Sequence, residues 1–176
     1  MKRLFLGFGL LLIFTACSQK QDNQNETSQQ RPIPYWQPQE SGVRAGFRGL
    51  SAVSDEVAWA SGSGGTVIRT IDGGTTWENV SIPGTDTLQF RDIEAFDANT
   101  AIVLSAGLPA VIYKTTDGGQ NWEQKYWSMV EGTFYDAMDF WNDQEGIAFG
   151  DAMNGRLLIL KTSDGGETWS ELPFEQ

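Results

Sequence analysis

Thr70-Ile71-Asp72-Gly73-Gly74-Thr75-Thr76-Trp77 returns twice in this 176-residue chain. It reappears as Thr115-Thr116-Asp117-Gly118-Gly119-Gln120-Asn121-Trp122 and as Thr162-Ser163-Asp164-Gly165-Gly166-Glu167-Thr168-Trp169, its aspartates 45 and 47 residues apart. A second marker keeps step: Phe47-Arg48, Phe90-Arg91 and Phe134-Tyr135, separated by 43 and 44 residues. Two markers on a common period define a structural repeat. Within each octapeptide, Asp-Gly-Gly predicts a tight turn, because glycine accepts positive φ without steric penalty and the carboxylate can accept turn N–H groups. The tryptophan then opens the next strand and covers the turn with apolar surface.

Working outward from the turns, each unit reads as four short strands, rich in β-branched and aromatic residues and separated by Gly, Asn and Asp. They are 47–53, 57–61, 66–71 and 76–80 in the first unit, and 90–96, 100–105, 110–115 and 121–126 in the second. The third has 134–140, 146–150, 157–162 and 168–172. The first strand of each unit reads as apolar on both faces, as expected of a sheet held between neighbouring sheets. Four strands in 40–50 residues, repeated, predict an all-β fold of β-propeller blades. The octapeptide resembles the Asp-box, or BNR, repeat found in sialidases and in the photosystem II stability/assembly factor-like family. That resemblance implies a motif at the blade periphery, structural through Asp72, Trp77, Asp117, Trp122, Asp164 and Trp169. One carboxylate per turn falls far short of the six to eight oxygens that calcium takes, so no metal and no cofactor is expected.

Trp36 lies 11 residues before Phe47, much as Trp77 and Trp122 lie 13 and 12 before Phe90 and Phe134. Residues 35–46 are therefore expected to form the closing strand of a blade whose other strands are not in the sequence. Three blades (47–80, 90–126 and 134–172) plus one strand fall below the four to eight of closed rings. Two explanations follow: a truncated reading of a parent with about seven blades, or a ring assembled from several chains.

The start of the chain reads as an address. Met1-Lys2-Arg3, an apolar run from Leu4 to Phe14 and then Thr15-Ala16-Cys17 make a signal peptide over 1–16. Phe14-Thr15-Ala16-Cys17 resembles the lipobox of bacterial lipoproteins, which implies acylation of Cys17 and an exported, lipid-anchored protein on the periplasmic side or at the outer membrane. Residues 18–30 contain no apolar side chain, so 17–34 is expected to be a disordered tether. The formal charge is -11, with 12 Lys and Arg against 23 acids. That balance excludes nucleic acid as a partner, because phosphate contacts need a basic footprint. With no histidine, histidine triads and imidazole-based zinc sites are excluded too.

The family resemblance extends over residues 35–176 and includes Ser41-Gly42-Val43-Arg44-Ala45-Gly46-Phe47-Arg48-Gly49-Leu50, similar to the stretch opening the family's first blade. It implies a non-catalytic scaffold whose surface arginines engage another protein or acidic ligand on the propeller face, with the membrane met only through the lipid. Carried over by position, Arg44, Arg48 and Arg91 are the binding residues, Arg69 is a weaker match, and Tyr135 breaks the series in the third blade. The competing expectation is that these arginines simply pair with Asp92, Glu94, Asp136 or Asp139. A sialidase-like glycoside hydrolase is the enzymatic alternative, with Tyr135 as an available tyrosine and Arg31-Pro32-Ile33-Pro34 only superficially similar to that family's motif. Asp151–Gly155 is expected to be a hairpin loop at the ligand-binding end, irregular in length beside 62–65 and 107–109.

Overall fold

The computed structural model describes residues 35–173; the leader, Cys17 and the tether lie outside them. The chain divides into two units, Met1–Trp36 and Gln37–Gln176, and every strand among the described residues lies in the second. Among the described residues twelve strands form three four-stranded antiparallel meanders. The first sheet has β1 (Phe47–Ala52), β2 (Ala58–Gly62), β3 (Val67–Thr70) and β4 (Glu78–Asn79). The second has β5 (Gln89–Ala95), β6 (Ala101–Ala106), β7 (Ala110–Thr115) and β8 (Glu123–Ser128). The third has β9 (Tyr135–Phe140), β10 (Gly146–Met153), β11 (Arg156–Thr162) and β12 (Ser170–Glu171). These are the expected blades of a partial propeller, with strand ends shifted by one to three residues.

The blades stack through their inner strands: β5 packs on β1 and β2, and β9 on β5 and β6. One core fills the gap between the first two blades, with Trp59 and Val67 facing Phe90, Ile93 and Val103. A second core joins blades two and three, with Ile102, Leu104 and Ile112 facing Tyr135, Met138 and Leu160. Each fully buried large side chain of this kind contributes roughly 1.5–3 kcal/mol. Burial on both faces belongs to the second and third strands, such as β6 and β7, rather than to the first strands as expected. The first strands instead alternate, because one side of Arg91, Asp92 and Glu94 stays partly open along the inner edge of the stack.

Every first strand carries a β-bulge, an extra residue with no partner opposite it. In β1 the register jumps across Arg48, in β5 across Arg91, and in β9 across Asp136. This corrects the second marker. The residue matching Phe47 and Phe90 is Tyr135, one place later than the Phe134-Tyr135 dipeptide suggested, and Asp136 takes the place of Arg48 and Arg91.

Residues 35–46 form no strand, contrary to expectation, and among the described residues no strand pairs with them. Trp36 is fully exposed instead of covering a turn. Gln39 nevertheless does what a fourth strand does elsewhere. Its Oε1 accepts the Trp77 indole N–H at 3.0 Å, as the Val80 carbonyl accepts that of Trp122 at 3.0 Å.

Candidate functional site

The three Asp-box turns are built alike. The first aspartate gathers three donors: Thr70 Oγ1 at 2.8 Å, the Thr76 amide at 2.9 Å and Thr76 Oγ1 at 2.7 Å. Asp117 is held by Thr115, the Asn121 amide and Asn121 Nδ2 at 2.7–2.9 Å, and Asp164 by Thr162 and Thr168 at 2.6–2.9 Å. These bonds favour the ionised form. The carboxyls of Asp72 and Asp117 therefore sit below their ordinary range, first through the side-chain bonds from Thr76 and Asn121. Asp164 is lowered to about 2, chiefly by Thr168. The same threonine that donates to the carboxylate also accepts the buried amide of the second glycine, at 2.9–3.0 Å in every blade. In the middle turn Gly118 and Gly119 have φ of 77° and 84°, and a Cβ on Gly119 would stand 2.6 Å from Val80 of the preceding blade. Each carboxylate is thus held by three donors from within its own turn, so its bonding is directed at the turn itself.

Surface chemistry lies at the opposite ends of the strands, where the β2–β3 and β6–β7 hairpins and the links between blades converge. There Arg48 and Arg91 line one pocket of about 410 Å³ with Gln89, Leu108 and Phe134. The bulges bring them together, since the unpaired residue of each inner strand is turned out toward that rim. Arg48 Nη1 donates to Gln89 Oε1 at 3.1 Å. Arg91 Nη2 lies 3.0 Å from Asp136 Oδ1, with two-fifths of the arginine side chain exposed, and its guanidinium stacks 5.5 Å from the Phe134 ring centre. The pocket thus sets two guanidiniums beside Leu108 and Phe134, and Asp136, outside its lining, engages one of the guanidiniums.

The other residues singled out in the sequence do not join this pocket. Arg44 is exposed on the segment before β1. Arg69 points to the opposite rim, where Nη1 donates to the Ala98 carbonyl at 2.7 Å and Nη2 pairs with Glu78 at 2.6 Å. Tyr135 is fully buried in the second core, with its hydroxyl 3.4 Å from that of Tyr126. Burial, then the contact with Tyr126, drives its acidity well below that of an ordinary phenol, and it offers neither a binding surface nor a nucleophile. Its burial follows from the register correction, because the position it occupies is that of core residue Phe90. Of Asp151–Gly155, expected to be a loop, the first three residues continue β10 and only Asn154 and Gly155 turn the hairpin into β11, at the same end as 62–65 and 107–109. Beside the pocket Asp92 accepts the Met138 amide at 2.8 Å across the blade interface, and burial raises its carboxyl and that of Glu94.

A contact missed in the sequence ties blade to blade. Lys114 Nζ reaches from β7 to the Gly165 carbonyl at 2.8 Å and to Glu167 Oε1 at 2.6 Å, both in the next Asp-box. Arg69 holds the matching position in β3 and also reaches the next blade. The signal was present, as a basic residue immediately before each octapeptide: Arg69, Lys114 and Lys161.

Comparison with known proteins agrees with this architecture. The family model of the photosynthesis system II assembly factor YCF48 matches residues 28–129, more than half of the chain. The photosystem II assembly lipoprotein Ycf48 of Synechococcus sp. (strain CC9902) is 29% identical over 109 residues, which cover 61% of this chain and 31% of that protein. Among solved structures, YCF48 bound to D1 peptide aligns with a TM-score of 0.58 at 23% identity, over 73% of this chain and 39% of that one. YCF48 from Cyanidioschyzon merolae aligns at 0.56 and 22%, over 72% and 39%. An ancestral GH74 enzyme also aligns at 0.56, at 14% identity over 74% and 19%, which shows that the blade architecture is shared and nothing more. The chain thus spans about a third of the length of the curated relative it matches. Bulged blades pinned by Asp-boxes, together with the family match, place the chain in the photosynthesis system II assembly factor YCF48 family.

Proposed function

We propose that the chain is a non-catalytic binding module of the cell envelope, which captures an acidic segment of another protein in the pocket between Arg48 and Arg91. The observation that carries this reading is the bulge register, which sets two guanidiniums from adjacent blades on one rim beside Leu108 and Phe134. The similarity to a YCF48 structure bound to D1 peptide supports a peptide as the class of ligand. A lipid anchor at Cys17 would hold the module at a membrane, in keeping with a relative named a lipoprotein. In this reading the partner is part of a membrane complex under assembly, and the module acts as a scaffold.

The test is fluorescence anisotropy with a labelled peptide rich in Asp and Glu, against the same peptide with those residues changed to Asn and Gln. The parent binds the acidic peptide, and binding weakens as salt rises. The double variant Arg48→Gln with Arg91→Gln loses about tenfold or more in affinity while its melting temperature holds. Equal affinity for the two peptides, or an unaffected double variant, would refute the reading.

A further inference from the structure

The two seams between blades hold their bulge arginines differently. At the seam of blades 2 and 3, Arg91 stacks on Phe134 and pairs with Asp136, a ring and a carboxylate two residues apart at the entry to β9. At the seam of blades 1 and 2, the register puts Gln89 in the place of Phe134, and Arg91 in that of Asp136. Arg48 bonds to Gln89 there at 3.1 Å. The position that supplies a carboxylate one blade on here supplies a second cation. One seam of the chain therefore contains the pair of groups that such an arginine takes, an apolar ring and an acid close together on one extended segment.

Apolar surface adjoins the arginine pocket. The ladder of β7 and β8 ends at the pair Ala110 and Ser128, so Leu108 and Val130 leave it side by side. The Val130 carbonyl accepts the Thr133 amide at 3.1 Å, a turn that delivers Phe134 to the pocket. Leu108, Val130, Met129 and Trp127 are each 46–55% exposed, and together they make a ridge running outward from the arginines. Blade 2 has a neighbouring blade on each side, so this exposure belongs to the inner blade and its link to blade 3. The link out of β4 serves as a control within the chain. Its apolar residues Val80, Ile82 and Leu88 are all buried in the first core. Surface of this kind, continuous and half open on an inner blade, is the mark of a binding site.

Resting on the function proposed above, we propose that the ridge is the second half of the same site. The partner segment then carries an acidic residue with large apolar side chains close beside it in sequence. Its carboxylate enters between Arg48 and Arg91, much as Asp136 lies against Arg91, and its apolar side chains lie along Leu108, Val130 and Met129. A protein segment is the occupant because charge and apolar surface meet in one lining: Leu108 and Phe134 stand beside both guanidiniums. Glu131, exposed in the same link, and the formal charge of -11 oppose an anionic lipid surface, which attracts basic segments. The ridge thus sets specificity, since the arginines alone take any acidic segment.

The experiment is fluorescence anisotropy on the full chain in phosphatidylcholine nanodiscs, with three labelled peptides of equal length. One pairs Asp and Glu with adjacent leucines, one replaces those leucines by serine, and one keeps them but carries Asn and Gln. The acidic leucine peptide binds about tenfold or more tighter than the acidic serine peptide. The double variant Met129→Ser with Val130→Ser brings that ratio close to one and leaves affinity for the acidic serine peptide unchanged. Both side chains are already exposed, so its melting temperature holds. Equal affinity of the parent for the two acidic peptides overturns the proposal and leaves the arginine pocket standing. So does a double variant that weakens both acidic peptides alike. If the acidic leucine peptide binds no better than its amide counterpart, the pocket reading itself falls, and this one with it. In brominated lipid, a loss of tryptophan quenching on Trp127→Phe would seat the ridge on the bilayer and overturn the proposal as well.

Discussion

Thr162 illustrates how a single hydroxyl holds a turn, because it donates to Asp164 and accepts from the buried amide of Gly166 at once. Thr162→Val keeps the shape and strands that amide, at a cost of about 1–3 kcal/mol read from urea unfolding. Asp164 makes a separate prediction for acid. Its folded pKa of about 2 lies below the ordinary 3.8, so the carboxylate stabilises the fold above pH 3.8 and that contribution is lost as pH falls toward 2. The melting temperature of Asp164→Asn should accordingly fall less steeply than the parent's over that window. A parallel fall would show that the turn does not depend on the ionised carboxylate. Most of this residue-level picture was legible in the sequence, because an acid followed by two glycines has few ways to fold. Tyr135 was not, because the Phe134-Tyr135 pair mimics the marker while the bulge places the register one residue later.

At the scale of strands and blades, the repeat period gave the sheets and their order, and the hydrophobic runs gave the second and third strands. Residues 35–46 are not a strand for a physical reason: a strand needs a continuous ladder, and the bonds of this segment to the blade are scattered, from the Gln39 side chain to Trp77 and Gly73 and from Gly46 to Ser63. The link between blades was hidden because the basic residue before each octapeptide gives no sign of its partner, which for Lys114 lies 51 residues on at Gly165. Its expected weight can be measured. Lys114→Met removes a buried charge-assisted bond to the Gly165 carbonyl and the pair with Glu167, and should destabilise the chain by about 1–3 kcal/mol. Glu167 keeps Lys125 at 2.6 Å, so Lys125→Met, more peripheral, should cost less. Equal costs would mean that the bond across the blades carries no special weight.

For the whole molecule, inner-strand bulges set the charges of the rim, and their order around the stack is Arg48, Arg91, Asp136. The sequence named both arginines and listed Asp136 among their potential partners; Arg91 is paired with Asp136 and also lines the pocket with Arg48. In the proposed function Asp136 stands in for the carboxylate of the ligand, and that proposal depends on the competition between them. The direct measurement is the affinity of Asp136→Asn for the acidic peptide, beside that of Arg91→Gln. Releasing Arg91 from a half-exposed pair worth roughly 0.2–1 kcal/mol should tighten binding by up to about fivefold, while Arg91→Gln weakens it. If Asp136→Asn weakens binding as Arg91→Gln does, the pair is only a brace between blades, and the rim is not where the partner is held.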